Sequence, residues 1–293
     1  MRAIAAPTSL KGVLSARAAA DALVAGLRDG GAEAVAIPVA DGGDGTLDVL
    51  GGSPRETEVS APLGGTVRAR WSLLDDGTAL VESAQALGFG TVDELDPLRA
   101  SSRGLGELLL AAAREASALL VGLGGTVTVD GGAGLREVVD KLPLPTRVLC
   151  DVLVPLHDAV DVFAEQKGAR REDFPALHER LRGLPDAPGA GAAGGLGGAF
   201  AALGAELVPG AAFVLDAIGF EPRGYDFVVT GEGSVDATTF VGKAPGEVVR
   251  RCRAARVPYE LFSAREDLSG DPSRAAEDLF DLGRRLAVFG APT

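Results

Sequence analysis

The chain is 293 residues long and 46% of its residues are apolar, enough material for two hydrophobic cores rather than one. A formal net charge of -13 argues against a nucleic-acid or anionic-membrane partner, since binding either relies on a basic patch, while leaving room for a local basic pocket that takes a small anion. Two cysteines, Cys150 and Cys252, are too few for a disulfide framework, and no stretch has the length of a membrane span or the form of a signal peptide, so the expectation is a soluble, cytoplasmic protein.

Arg2 to Ala6 reads as a buried strand, followed by a loop carrying Ser9 and Lys11. Ser15 caps an Ala/Leu-rich helix over Ala16 to Arg28. Val35 to Val39 is a second short strand and runs into Asp41-Gly-Gly-Asp44, where glycines prevent regular structure and two carboxylates are presented. From Glu58 the texture changes. Thr57 to Ala61, Thr66 to Leu74 and Thr78 to Glu82 read as antiparallel strands, with Gly64-Gly65 and Asp75-Asp76-Gly77 as turns. A helix follows over Leu105 to Glu115, then a buried strand over Ala118 to Leu123 that ends in Gly124-Gly-Thr-Val-Thr-Val-Asp-Gly-Gly-Ala-Gly134. A strand, a Gly-rich loop and a helix in that order suit a phosphate held on backbone N–H groups, although the Gly-Lys-Ser/Thr ending of a Walker loop is absent.

Val148 to Val154 reads as a further strand carrying Asp151, and Glu172 to Arg182 as a polar helix. His157 and His178 have no second ligand at metal-binding spacing. The small-residue run Pro188 to Gly198 leads into an apolar helix over Ala199 to Leu207. Tyr225 to Thr230 returns to a short buried strand that ends in a second Gly-acid loop with Glu232 and Asp236, and Gly242-Lys-Ala-Pro245 opens a helix over Gly246 to Ala255. The expected layout is discontinuous: 1–59 with 224–293 as a parallel-sheet domain, and 60–223 as an insertion. Ligands in such sheets collect at the carboxyl ends of strands, where the Lys11, Asp41 and Glu232 loops fall.

Lysine usage adds a second signal. The cations are almost all Arg, and three of the four lysines, Lys11, Lys167 and Lys243, sit beside glycine, while Lys141 does not. A Lys retained in an Arg-using chain suits a compact ammonium contact to phosphate, or is a surface residue kept by chance.

Eight motifs in order resemble the bacterial glycerate kinase family, the type that phosphorylates the 2-hydroxyl of glycerate. They are Ala6-Pro-Thr-Ser-Leu-Lys-Gly12, Pro38-Val-Ala-Asp-Gly-Gly-Asp-Gly-Thr46, Ser101-Ser-Arg-Gly-Leu-Gly-Glu-Leu108, the Gly124–Gly134 loop, Cys150-Asp-Val-Leu-Val-Pro155, Gln166-Lys-Gly-Ala169, Pro188-Gly-Ala-Gly-Ala-Ala-Gly-Gly195, and Thr230-Gly-Glu-Gly-Ser-Val-Asp236 with Gly242-Lys-Ala-Pro245. The resemblance implies an α/β fold: a flavodoxin-like parallel-sheet domain built from both chain ends, with an inserted α+β second domain and a cleft between them. It implies ATP and Mg²⁺ as cofactors, a small hydroxy acid and a nucleotide as the molecules bound, and a monomer or homodimer. Lys11, Asp41, Asp130 and Asp236 are then the catalytic candidates. Ser9, Gly42, Gly43, Arg103, Gly124, Gly125 and Lys243 are candidates for substrate or phosphate contact, and Asp44, Glu232 and Asp151 for metal.

The chain departs from the family pattern at five polar positions, having Thr8 for Asp, Val129 and Val154 for Asn, Ser234 for Arg and Thr238 for Gln, and it is shorter than is usual. If those positions line the acid-binding part of the site, the pocket is less polar than in relatives. The alternatives to glycerate are therefore a different small hydroxy acid, or a catalytically silent ligand-binding role.

Overall fold

The computed structural model describes residues 1–289. Among these residues ten strands run in chain order: β1 (Arg2–Ala5), β2 (Glu33–Ala36), β3 (Ser53–Ser60), β4 (Thr66–Leu73), β5 (Thr78–Glu82), β6 (Ala118–Leu123), β7 (Thr146–Cys150), β8 (Glu206–Pro209), β9 (Phe227–Glu232) and β10 (Tyr259–Ser263). They form two separate sheets, and the described residues divide into two units, one of residues 1–41, 48–50 and 211–289, the other of 42–47 and 51–210. Among the described residues no helix is long and apolar enough to cross a membrane.

The first unit holds a four-stranded sheet in the order β10-β9-β1-β2, parallel throughout, with Ile4 opposite Val35 on one side and Val228 on the other. Numbered by their sequence within this unit, the strands lie 2-1-3-4, the doubly wound order of flavodoxin-like folds. Alternation along each strand feeds two cores. Ala3, Ala5, Phe227 and Val229 point to the helices Ala16–Asp29 and Ala275–Phe289, while Ile4 and Val228 point to Ala244–Ala255 and Gly210–Ala217. Ser15 caps the first helix as the sequence implies, its hydroxyl accepting from Ala18 N–H at 3.1 Å. That helix meets Ala275–Phe289 so closely that a Cβ on Gly26 would lie 1.9 Å from the Phe280 carbonyl oxygen.

In the second unit the order is β3-β4-β5-β6-β7-β8: an antiparallel meander from β3 to β5, then parallel pairing from β5 to β8. The Asp75-Asp76-Gly77 turn closes the β4/β5 hairpin, with Gly77 at φ 81° and the Asp76 carboxylate accepting from Thr78 N–H. One face packs Trp71, Val81 and Val121 against the helices Arg103–Ala112 and Ala192–Ala202. A second cluster gathers Val129, Leu156, Val160, Phe174 and Leu177.

Several expected boundaries move. Residues 53–60 are β3 and pair along their whole length with β4, so they belong to the second unit and not to the 1–59 segment. Residues 211–223 join the first unit, because Ala211, Leu215 and Phe220 pack with Ile4 and Val228. Positions 290–293 of the expected first domain lie outside the described residues. The strand expected over Val148 to Val154 stops at Cys150, leaving Asp151 just past its end. The helix expected over Ala199 to Leu207 instead follows a left-handed turn at Ala193, Gly194 and Gly195 (φ of 51°, 71° and 87°), starts just after that turn and ends at Ala202, and Leu207 lies in β8. The glycines allow that left-handed turn, and a Cβ on Gly194 would meet the Thr128 carbonyl oxygen at 2.1 Å.

Candidate active site

In the first unit the loops after β1, β2 and β9, at the carboxyl edge of the sheet, carry the candidate residues. Thr8, in the loop after β1, is bound to the end of β9, its N–H donating to the Gly231 carbonyl at 3.0 Å and its hydroxyl to the same oxygen at 3.2 Å. This anchors the segment with half-buried Ser9 and exposed Lys11. Asp41 follows β2 and is half-buried. The loop after β9 builds a polar cluster. Glu232 Oε1 accepts from Thr239 Oγ1 at 2.6 Å and its Oε2 from Lys243 Nζ at 3.4 Å, with both charged side chains mostly buried. Asp236 caps the turn Ala237–Phe240: its Oδ1 accepts from Thr238 N–H at 2.7 Å and Thr238 Oγ1 at 2.5 Å, while its own N–H donates to Thr239 Oγ1. The Thr238 hydroxyl, the Thr238 N–H and the nearby Lys243 charge hold the Asp236 carboxyl below the usual carboxylate range. Lys243 is the N-cap residue of the helix Ala244–Ala255. Glu232, Asp236 and Lys243 are thus brought together, and Glu232 serves as the partner of Lys243.

In the second unit, residues 42–47 run against the end of β6 at backbone contact. A Cβ on Gly122 would lie 2.5 Å from the Gly42 carbonyl oxygen, and one on Gly43 would lie 3.3 Å from both Gly124 Cα and Asp151 Cβ. The segment is fastened by Glu82, 1% exposed, whose Oε1 accepts from Leu47 N–H at 2.6 Å. Asp44 and Asp151 flank adjacent glycines: a Cβ on Gly124 would meet Asp151 Oδ2 at 2.4 Å, and one on Gly125 would meet Asp44 Cβ at 3.4 Å. Asp41 and Asp44, three residues apart, fall in different units.

The Gly124–Gly134 loop departs from the phosphate-cradle expectation. Asp130, 4% exposed, accepts from Ser102 N–H and Oγ at 2.9 and 2.7 Å, from Gly132 N–H at 3.1 Å and from Gly134 N–H at 3.0 Å. Gly124 N–H goes to Ser83 Oγ, Gly131 N–H to the Gly194 carbonyl and Leu135 N–H to Ser102 Oγ. Most of the loop's donors are consumed within the protein, and the helix that follows, Ala133–Arg136, has only four residues. Asp130 therefore fastens the loop. Arg103 is also engaged elsewhere than expected, on the surface with Glu107 at 3.0 Å and Glu137 at 3.3 Å. Val129 is fully buried in an apolar cluster and lines no acid-binding surface.

Beneath the same loop lies Lys167, 4% exposed, which the sequence left between a phosphate contact and a chance survivor and which is neither. Its Nζ donates to Thr126 Oγ1 at 3.2 Å and to the Thr128 carbonyl at 2.8 Å. Burial pushes its pKa down to about 8, while Asp151 and Asp130 act in the other direction. The Lys-Gly signal that marks it is a backbone one: Gly168 is at φ 93° and ends the turn that buries the side chain.

Among the described residues no three His, Cys, Asp or Glu side chains converge on a metal position. Mg²⁺ in phosphoryl-transfer sites is commonly held by one or two carboxylates with phosphate oxygens and water completing its shell. Asp44 and Asp151 fit that donor set.

A family model described as "Glycerate kinase family" matches residues 3–140 and 140–279. The chain belongs to the glycerate kinase family. It is 36% identical to a glycerate 2-kinase of Escherichia coli K12, over 84% of this chain and 80% of the relative, and 35% identical to a glycerate kinase of Halalkalibacterium halodurans, over 99% and 90%. A crystal structure of a candidate glycerate kinase 2 from Salmonella typhimurium LT2 superposes with a TM-score of 0.77 at 30% identity, covering 98% of this chain and 97% of the other. The family member described here is accordingly a kinase, a phosphotransferase with the two-unit α/β architecture.

Proposed function

We propose that this chain transfers the terminal phosphoryl group of ATP to the 2-hydroxyl of D-glycerate. The observation that carries this reading is the Glu232–Lys243 pair with Asp236, held at the carboxyl edge of the parallel sheet in a family whose named relatives are glycerate kinases. Phosphoryl transfer asks little covalent chemistry of a protein; it asks for alignment and for compensation of the charge on the transferred group.

Lys243, fixed by Glu232 and by its place at a helix start, and Lys11, on the neighbouring loop, supply positive charge to the phosphate oxygens. Asp41 accepts the proton of the attacking hydroxyl, because Asp236 is kept acidic by its Thr238 contacts and Asp130 is spent on the loop. Asp44 and Asp151 would hold Mg²⁺, which would supply positive charge against the phosphate oxygens. Gly43, Gly124 and Gly125 keep side chains out of the space beside those two carboxylates, while Gly42 lets the segment pack against Leu149 and Gly210. Ser9 is retained as a hydroxyl contact.

The test is ADP release with D-glycerate and a panel of other small 2-hydroxy acids, with the product assigned by phosphorus NMR. Glycerate-dependent release giving the 2-phosphate is the expected result. Turnover confined to another acid would move the reading to that acid, and no turnover with any of them by folded protein would overturn it.

A further inference from the structure

The first unit contains a cavity of about 200 Å³ that the residues discussed so far touch only through Lys11. Its walls come from the loops after β1, β9 and β10, the carboxyl ends of three adjacent strands. In the order β10-β9-β1-β2 the sheet reverses its winding between β1 and β9, and crevices at such reversals take ligands because the connecting helices diverge to opposite faces there.

The lining is mostly apolar, with Leu10, Val13, Leu268, Pro272 and Ala275 facing a space large enough for a heterocyclic ring. Two cations stand at it, Lys11 and Arg265, both exposed. Neither side chain makes a hydrogen bond or ion pair among the described residues. In a chain of net charge -13, two uncommitted cations beside one apolar cavity select an anion with an apolar part. Asp271 and Asp278 also line the space, but each is tied to its own wall. Asp271 Oδ1 accepts from Ser273 N–H and Oγ at 2.9 and 2.7 Å, and Asp278 Oδ2 accepts from Ser269 N–H at 3.0 Å and from Ser269 Oγ. These bonds hold residues 269–278 as a fixed side of the cavity.

We infer that this cavity is the nucleoside subsite: the base of an adenine nucleotide lies between Val13 and Leu268, with its phosphates directed to Lys11 and Arg265. The inference rests on the reading that a nucleoside triphosphate is the phosphoryl donor.

The experiment is calorimetric titration of the intact protein with MgATP, run beside steady-state kinetics. Val13→Glu places a carboxylate in the cavity from an exposed position and Leu268→Trp fills it; circular dichroism melts establish that both fold. Both variants are expected to bind MgATP at least tenfold more weakly and to raise KM for ATP by a similar factor, with KM for the acid within twofold. Val13→Gln, similar in size without the charge, is expected to recover most of the binding. Binding by both folded variants equal to the parent's would overturn the subsite and leave the kinase reading intact. Weakened binding in a protein that phosphorylates no hydroxy acid would support the subsite and remove the acceptor reading instead. A parent that binds no MgATP overturns both.

Discussion

The loop after β9 and the loop after β6 look alike as sequence, each an apolar strand running into glycines and acids, and the protein uses them in opposite ways. After β9 the acids are side-chain partners: Glu232 holds Lys243, and Asp236 holds a turn while remaining at the surface. After β6 the acid goes inward, and Asp130 takes four donors from its own surroundings. Glycine next to carboxylate is thus no signature of a ligand site by itself. What separates the two cases is where the backbone N–H groups go, and that depends on distant partners such as Ser102 and Gly194.

The comparison breaks most visibly at Asp130. Asp130→Ala leaves its donors unsatisfied in a dry site and is expected to cost about 3–5 kcal/mol of stability, read from urea unfolding. A loss below about 1 kcal/mol would mean the loop is held by other means. Lys243→Ala is the matching change on the other side. It is expected to lower kcat at least a hundredfold, about 2.7 kcal/mol, with little change in melting temperature, and Lys243→Arg to restore only part of the rate because a planar fork does not replace a point charge. Unfolding of Lys243→Ala with activity per folded molecule preserved would make the residue structural.

A pH experiment sharpens the contrast at Lys167. The unfolded chain keeps this lysine protonated to its ordinary value of 10.5, the folded chain only to about 8. Between those values the unfolded state binds more protons, so stability gains a rising contribution with pH of up to about 1.4 kcal/mol per unit, while below pH 8 the cost of the buried charge is fully present. Cys150 and Cys252, each pushed up to about 12 by burial, contribute the opposite slope above their ordinary value of 9. The measurement is therefore the difference between the parent and Lys167→Met. That difference should change across pH 8 to 10.5 and be flat from 6 to 7.5; a flat difference throughout would mean the ammonium is better solvated than its burial implies. The smallest effect is expected at Arg103. Its surface pairs with Glu107 and Glu137 make Arg103→Ala worth less than about 1 kcal/mol, with turnover within twofold. A tenfold fall in turnover would return Arg103 to the phosphate-binding set.

Much of the fold was legible because it rests on local pattern. The Ser15 cap, the Asp76-Gly77 turn and the β6 strand follow from capping chemistry, turn chemistry and apolar runs. The parallel sheet shared by β1 and β9 was legible too, from two short apolar strands ending in similar loops. What local pattern does not encode is assignment at a distance. Residues 53–60 join β4 because a whole register of eight pairs holds them there. The left-handed turn at Ala193–Gly195 is set by close packing on Thr128, which the glycine run permits without specifying. For the candidate site, the residue types and the strand ends were readable. The burial of Lys167 and Val129 and the surface pairing of Arg103 depend on neighbours far along the chain.

The pairing of β1 with β9 also constrains how the protein comes into being on the ribosome. When synthesis has passed residue 210, every strand of the six-stranded sheet exists, but the four-stranded sheet has only β1 and β2. The apolar edge of β1 must then wait for residues 227–232 with its hydrogen-bonding groups open, more than two hundred residues after it was made. The inserted unit is therefore the one expected to gain protease resistance first, and the exposed β1 edge the one to attract a holding chaperone or another nascent chain.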